Sequence, residues 1–364
     1  MKKTPLALSI GGLLAMAAAV GVGRFVYTAI LPPMVEALHL SKSEAGLIAS
    51  ANFVGYLAGA LLATLRLPGS RRTWLLGALA ANAAGLAAMG LTSSLVLFLI
   101  VRLLAGVFSA FSLVFASDLV IHRLNEAGRP HLSAVHFAGV GTGIAVSAAV
   151  VATQGEWHAM WFASAALSLA AAIAVALLVP EDDHAATQAA AHGNAPLALV
   201  TAYGLFGFGY VITATFIVAQ VRAASAIAPL EPYVWVLFGL SAAPSVALWT
   251  ALARRSGVLK AFAIAALVEA LGVAGSAIWI NEVTIIGAAL LVGGTFMGLT
   301  ALGLIAASGR IALMTASFGL GQILGPLFAG YVFDATGSLM VPLLGAAVAL
   351  AVAAALSYSL VRKG

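Results

Sequence analysis

Apolar runs of about twenty residues, the length that crosses a bilayer core, follow one another along this whole chain with only short polar breaks between them. A soluble domain carries roughly 25% charged residues; here the share is 8%, against 63% hydrophobic residues and a mean hydropathy of +1.10. The 364 residues leave no stretch long enough for an ordinary soluble domain. Backbone groups in lipid must be paired within the chain, so the sequence predicts an all-α membrane protein. Helices are expected near 6–31, 44–65, 73–91, 93–121, 132–153, 158–179, 196–220, 233–252, 258–280, 283–307, 312–334 and 338–360, twelve transmembrane helices in all. Pro32-Pro33 is expected to close the first, Leu67-Pro68-Gly69-Ser70 to follow the second, and Pro180-Glu181 to close the sixth. Lys2 and Lys3 before an apolar run, with Ala17 to Ala19 beyond, resemble a signal peptide. The run continues to Leu31 and no soluble region follows, which argues for a retained helix.

Basic residues fall in alternate breaks. Lys2 and Lys3, then Arg66, Arg71 and Arg72, then Arg123 and Arg129, then Arg254, Arg255 and Lys260, then Arg310, and finally Arg362 and Lys363 all share one side. By the positive-inside rule that side is the cytoplasm, and an even helix count puts both termini there. The sequence pI near 9.7 is therefore a topology signal, and no nucleic-acid partner is expected. With no Cys, disulfides, thiolate metal sites and thiol catalysis are excluded. Neither a metal-ligand cluster nor a nucleophile–base–acid set is present, so the expectation is no enzyme, no metal and no cofactor. Gly139, Gly141 and Gly143 lack the preceding strand of a dinucleotide fingerprint and read as a close helix contact.

One long polar stretch, 181–195, begins Glu181-Asp182-Asp183-His184 and reads as a solvated cytoplasmic linker. It separates a six-helix bundle at 1–180 from another at 196–364. The halves echo each other: Gly139-Val140-Gly141-Thr142-Gly143 in helix 5 returns as Gly319-Leu320-Gly321-Gln322 in helix 11, and Arg71-Arg72 returns as Arg254-Arg255. Each half starts and ends on the cytoplasmic side, so the two are parallel six-helix pseudo-repeats, an arrangement found in one class of secondary transporters.

Several motifs resemble the major facilitator superfamily, over essentially the whole chain. Gly59 to Arg66 and Arg71-Arg72 resemble its Gly-Asp-Arg-Gly-Arg loop, with Ala63 where the acidic residue is expected; Arg102-Leu-Leu-Ala-Gly106 resembles its Arg-x-x-x-Gly motif, tied to proton coupling; Gly321-Gln322-Ile-Leu-Gly325-Pro326 resembles its Gly-Pro motif. More narrowly, Gly21-Val-Gly23-Arg24-Phe25-Val-Tyr27-Thr28, Asn52-Phe-Val-Gly55-Tyr56, His136-Phe-Ala-Gly139 and Tyr203-Gly-Leu-Phe-Gly207-Phe-Gly-Tyr210 are similar to the YbfB/YjiJ group. The resemblance implies the major facilitator fold in a bacterial inner-membrane permease. It would be a monomer in the lipid bilayer that moves a small-molecule substrate, with efflux and protons as expected features.

Arg24 and Arg102 stand alone inside apolar runs. A charge at membrane depth costs roughly 3 kcal/mol or more and usually has a task. Arg24 lies about 27 Å along its helix and Arg102 about 13 Å from the outer end of helix 4, at 1.5 Å per residue. By the resemblance, helices 1 and 4 line a central cavity, where two guanidiniums would grip a carboxylate, sulfonate or phosphate through paired donors. The alternative is that each hydrogen-bonds to helix-end carbonyls or snorkels outward. Tyr27, Asn52, Tyr56, Tyr203, Tyr210 and Gln322 are the other expected substrate contacts; Asn52 with Tyr56, and Tyr203 with Gly207 and Tyr210, follow helical spacing on one face. Asp118 and His122 at i, i+4, His136, and the mid-helix carboxyl Glu269 are the candidates for proton coupling or gating, each opposed by a packing role. A non-transporting receptor or scaffold is the competing function.

Overall fold

Lipid offers a backbone no hydrogen-bond partners, so each apolar run closes its own N–H and C=O groups by coiling. The computed structural model, which describes residues 4–65, 67–180, 196–307 and 311–362, consists of helices and their connecting turns. Lys2, Lys3, Arg66, Arg310, Lys363 and the linker 181–195 lie outside the described residues.

The helices are α1 (Pro5–Leu38), α2 (Lys42–Leu62), α3 (Arg71–Met89), α4 (Leu95–Glu126), α5 (Ser133–Val151), α6 (Trp157–Leu178) and α7 (Leu197–Ala223). They continue as α8 in two pieces (Glu231–Ala242 and Ser245–Ser256), α9 (Val258–Ile278), α10 (Glu282–Ala306), α11 (Ile311–Thr336) and α12 (Met340–Val361). Among the described residues ten of these are long and apolar enough to cross a membrane, and the α8 pair, bent by 40°, makes an eleventh. The twelfth, α3, spans 19 residues but begins on Arg71 and Arg72. Each element lies on a predicted run.

Two departures concern proline. Pro32-Pro33 does not close α1, which runs on to Leu38. The fixed φ of proline is compatible with a helix; what is lost is one backbone donor per ring. Pro244 does break α8, where the sequence predicts an unbroken helix over 233–252: it caps the second piece, Ser245–Ser256.

Contacts divide the chain into two units, Met1–Leu38 with Ala51–Thr187, and His39–Ser50 with Gln188–Gly364. In the first, α1 packs on α4, α5 and α6, and α3 on α4 and α6. In the second, α7 packs on α11 and α12, α9 on α10 and α12, and α8 on α10. The glycine echo has the same meaning in both. A Cβ on Gly139 of α5 would stand 2.1 Å from the Leu13 carbonyl oxygen of α1, and one on Gly143 2.5 Å from that of Ala17. A Cβ on Gly321 of α11 would stand 2.1 Å from the Gly204 carbonyl oxygen of α7. In each unit the fifth helix lies backbone to backbone on the first, the close approach that small residues permit in lipid.

Gly139→Val is expected to destabilise the protein by about 1–3 kcal/mol, the usual cost of overpacking, and to lower its melting temperature in detergent. Gly77→Ala, on an exposed stretch of α3 where an added Cβ meets nothing within 4 Å, is expected to leave that temperature unchanged or raise it.

Candidate functional site

The first unit holds both intramembrane arginines, and α1 is irregular where they meet. Over Ala17–Val22 its coil widens: the N–H of Gly23 bonds the Ala18 carbonyl (2.9 Å) and that of Phe25 the Val20 carbonyl (3.2 Å), each five residues back. Such widened turns recur at functional sites. The Ala19 carbonyl, which a regular helix would offer to Gly23, accepts instead from Ser109 Oγ of α4 (2.7 Å) and Asn82 Nδ2 of α3 (3.2 Å). Arg102 of α4, 3% exposed, completes the set. Its Nη1 donates to the Gly23 carbonyl (3.3 Å) and its Nη2 to the Arg24 carbonyl (3.2 Å). The Arg102 guanidinium lies 5.0 Å from the Tyr27 ring centroid, and Asn52 Nδ2 donates to the Arg102 carbonyl (3.0 Å). Both Nη groups of Arg102 thus serve backbone of α1, the alternative weighed against presentation to a ligand, while its Nε is buried without a partner.

Arg24 is placed differently. It is 6% exposed, and its guanidinium carbon lies 4.4 Å from the Tyr56 ring centroid, 4.5 Å from that of Phe53 and 5.3 Å from that of Phe25. Aromatic faces attract a desolvated cation, yet they offer no acceptor lone pairs. Arg24 Nε and Nη2 are buried without a hydrogen-bond partner. Burying such donors unpaired is costly, and an anion would satisfy them. Five expected contacts, Arg24, Tyr27, Asn52, Tyr56 and Arg102, therefore cluster on α1, α2 and α4 of one unit. Sequence reasoning missed Phe25, Phe53, Asn82 and Ser109; the signal available was lone polar residues, Asn82 and Ser109, inside apolar runs.

The remaining candidates of the first unit lie apart from this cluster. Asp118 is 2.5 Å from Arg71 Nη1, a pair that ties α4 to the start of α3. Beside it, Arg72 donates from Nε to the Val179 carbonyl (2.8 Å) and from Nη2 to that of Ala176 (2.6 Å), holding the end of α6. His122 has Glu126 Oε1 at 3.8 Å on the exposed end of α4. His136 is fully buried, with Nε2 3.1 Å from Ser117 Oγ, and a Cβ on Gly12 would come within 2.4 Å of its Nδ1. That fit is the packing alternative for this histidine.

In the second unit Tyr203 and Tyr210 of α7 belong to a ladder of buried rings. Phe318 stacks on Tyr203 (4.9 Å between centroids) and Phe206 (5.4 Å), Phe206 on Tyr210 (5.2 Å), and Tyr210 on Phe296 (5.5 Å). The Tyr203 hydroxyl donates to the Thr300 carbonyl (3.0 Å). Gln322 Nε2 donates to the Tyr210 hydroxyl, and its Oε1 is buried without a partner. Gly207, expected within the aromatic stripe, is instead a spacer: a Cβ there would lie 2.5 Å from the Phe318 carbonyl oxygen. Glu269 of α9 is fully buried, with Oε2 2.7 Å from Thr295 Oγ1 of α10 and Oε1 without a partner. That same hydroxyl lies 2.6 Å from the Leu291 carbonyl oxygen.

Among solved structures, a mutant of the nucleoside transporter NupG is 16% identical with a TM-score of 0.76, covering 98% of this chain and 99% of its own. Native NupG is 16% identical with a TM-score of 0.72, over 98% of both chains. A bacterial homologue of the human lysosomal transporter Spinster, inward-facing and unoccupied, is 15% identical with a TM-score of 0.70, over 99% of this chain and 96% of its own. At such identities the likeness is one of fold. No curated protein sequence matches the chain. The family model described as "Uncharacterised MFS-type transporter YbfB" matches residues 16–358. A chain matched over nearly its full length belongs to that family, and is a many-helix membrane transporter of the major facilitator type and not an enzyme.

Proposed function

We propose that this transporter moves a small organic anion across the bacterial inner membrane by alternating access, as a monomer with both termini in the cytoplasm. Its halves are 1–180 and 196–364, joined by the linker 181–195. The observation that carries the reading is Arg24: a guanidinium nearly enclosed by three aromatic rings, with Nε and Nη2 unpaired. A carboxylate, phosphate or sulfonate meets paired guanidinium donors in their own plane. Arg24 is the anion anchor, with Tyr56 beside it and Tyr27, which lies against Arg102, as a further contact. Arg102 acts at one remove, by holding the backbone that carries Arg24, and Asn52 one step further back, by donating to the Arg102 carbonyl. Tyr203, Tyr210 and Gln322 are proposed as substrate contacts contributed by the second unit.

Proton coupling is assigned to Glu269, and hydrogen counting supports it. Thr295 has one hydroxyl hydrogen, while the Leu291 carbonyl and Glu269 Oε2 both lie within 2.7 Å of its oxygen. A neutral carboxylic acid resolves this by donating to Thr295, which then donates to Leu291. A group that holds a proton here and releases it when its surroundings open is suited to coupling. Asp118, His122 and His136 are proposed in gating.

Two experiments test these assignments. A thermal-shift screen of small carboxylates, phosphates and sulfonates is expected to find a stabilising anion, since a ligand of the native state raises its stability. Arg24→Gln should then weaken that anion about 10- to 100-fold, the worth of one or two charge-assisted hydrogen bonds. Arg24→Lys should recover only part of the loss, whereas Arg102→Gln should lower the melting temperature even without ligand. Stabilisation by neutral compounds alone, or equal anion affinity in Arg24→Gln, refutes the anion reading. For coupling, proteoliposomes loaded with a pH-sensitive dye should acidify or alkalinise as that anion moves. Glu269→Gln should still pass the anion down its gradient without moving protons; undiminished proton flux in this variant rules Glu269 out.

A further inference from the structure

The basic pair Arg71-Arg72 and its echo Arg254-Arg255 are used differently. In the first unit both are consumed by protein: Arg71 Nη1 lies 2.5 Å from Asp118 of α4, and Arg72 holds the carbonyls that end α6. In the second unit the helix at the same place in the order is α10, and its one acid, Glu282, is its first residue. No counterpart of Asp118 is available there. Arg254 and Arg255 end α8, exposed and with no carboxylate, hydroxyl or carbonyl partner among the described residues. Lys260, in the first turn of α9, is exposed and unpaired among them in the same way. Gly257, at φ +85°, turns the chain between the two helices, a conformation that glycine adopts without strain.

The second piece of α8 packs on α9, so these cations stand at the head of two neighbouring helix faces. On α9, Lys260, Ile264 and Leu267 follow i, i+4, i+7 and are all exposed, which makes one stripe. On α8, Leu248, 59% exposed, and the exposed Ala251 lead to Arg255 by the spacing i, i+3, i+7. Basic side chains at helix ends keep their charge at the membrane surface while their stems lie along apolar neighbours. Unpaired cations above exposed aliphatic strips complement a molecule with an anionic head and apolar tails. A soluble phosphate ester or an acidic protein face would meet the cations and leave the strips uncovered.

We propose that Arg254, Arg255 and Lys260 bind the phosphate of an anionic phospholipid whose acyl chains lie along the exposed faces of α8 and α9. The guanidiniums offer paired donors to phosphate oxygens and Lys260 a point charge. Basic groups between membrane helices at the cytoplasmic surface recognise lipid headgroups in this way, and with the orientation proposed above the lipid belongs to the inner leaflet. The site lies wholly in the second unit, whereas Arg24 belongs to the first. Arg71 and Arg72, their charges already spent, form no equivalent site.

The full-length protein, stripped of lipid in a neutral detergent, is given phosphatidylglycerol or phosphatidylcholine with the same acyl chains, and bound lipid is counted by native mass spectrometry. The parent is expected to retain phosphatidylglycerol in preference to phosphatidylcholine. Arg255→Gln and Lys260→Gln should each weaken that retention about fivefold, the worth of one basic residue near an anionic membrane surface. Arg255→Lys, which keeps the charge, should retain most of it, and Arg254→Gln added to both Gln variants should abolish the preference. Arg129→Gln, which removes an exposed cation from the turn between α4 and α5, should leave retention as it was. Equal retention of the two lipids by the parent overturns the proposal. So does an equal loss in Arg129→Gln, since charge anywhere on that side would then suffice. Displacement of phosphatidylglycerol by millimolar inorganic phosphate overturns it too, because the site would then take a free anion. No transport substrate enters the measurement, so its failure would leave the anion reading standing, and failure of the anion screen would leave the lipid site standing.

Discussion

Two hydrogen bonds from the Arg102 guanidinium to the carbonyls of Gly23 and Arg24 hold the irregular part of α1 in place. In lipid an unpaired backbone carbonyl costs several kcal/mol, so α1 can leave regular geometry only where side chains take over its bonds. Ser109 and Asn82 do this for Ala19 and Arg102 for the next turn. The reward is position: the widened coil carries Arg24 into a box of aromatic rings with donors left over. One arginine is consumed in building the backbone that presents the other.

Close backbone contact is the other recurring device. Apolar side chains have little reason to prefer each other over lipid tails, so tight fits and interhelical hydrogen bonds carry the association. Glycines bring α5 onto α1 and α11 onto α7. Serine and threonine hydroxyls then reach neighbouring carbonyls, as Ser245 does to Gly294 and Ser357 to Leu259. The one fully buried carboxyl among the described residues, Glu269, follows the same rule by meeting a hydroxyl and no cation.

The helices were legible because bilayer thickness, backbone pairing and loop charge all act on local sequence. Most ends fall within a few residues of the expected ones; α6, expected at 158–179, is Trp157–Leu178. The mistakes have local causes too. A proline signals a lost donor and a ring, and its neighbours decide whether the helix tolerates that, as at Pro32-Pro33, or breaks, as at Pro244. Of the candidate residues, Arg24 and Arg102 were visible as charges in apolar surroundings. Their different tasks were not, because the widened turn that separates them depends on Asn82 and Ser109, more than fifty residues away.

Periodicity and charge placement in the sequence alone determined a many-helix membrane chain, because these properties reflect the surrounding lipid and water and repeat along the chain; the major facilitator type entered through the resemblance of its motifs. Tertiary structure alone decided which arginine spends its Nη groups on backbone, which glycine meets which carbonyl, and that Asp334 caps a helix begun 292 positions earlier. Hydrogen bonds are directional and short, and no local pattern specifies a partner that only the folded chain brings within 3 Å.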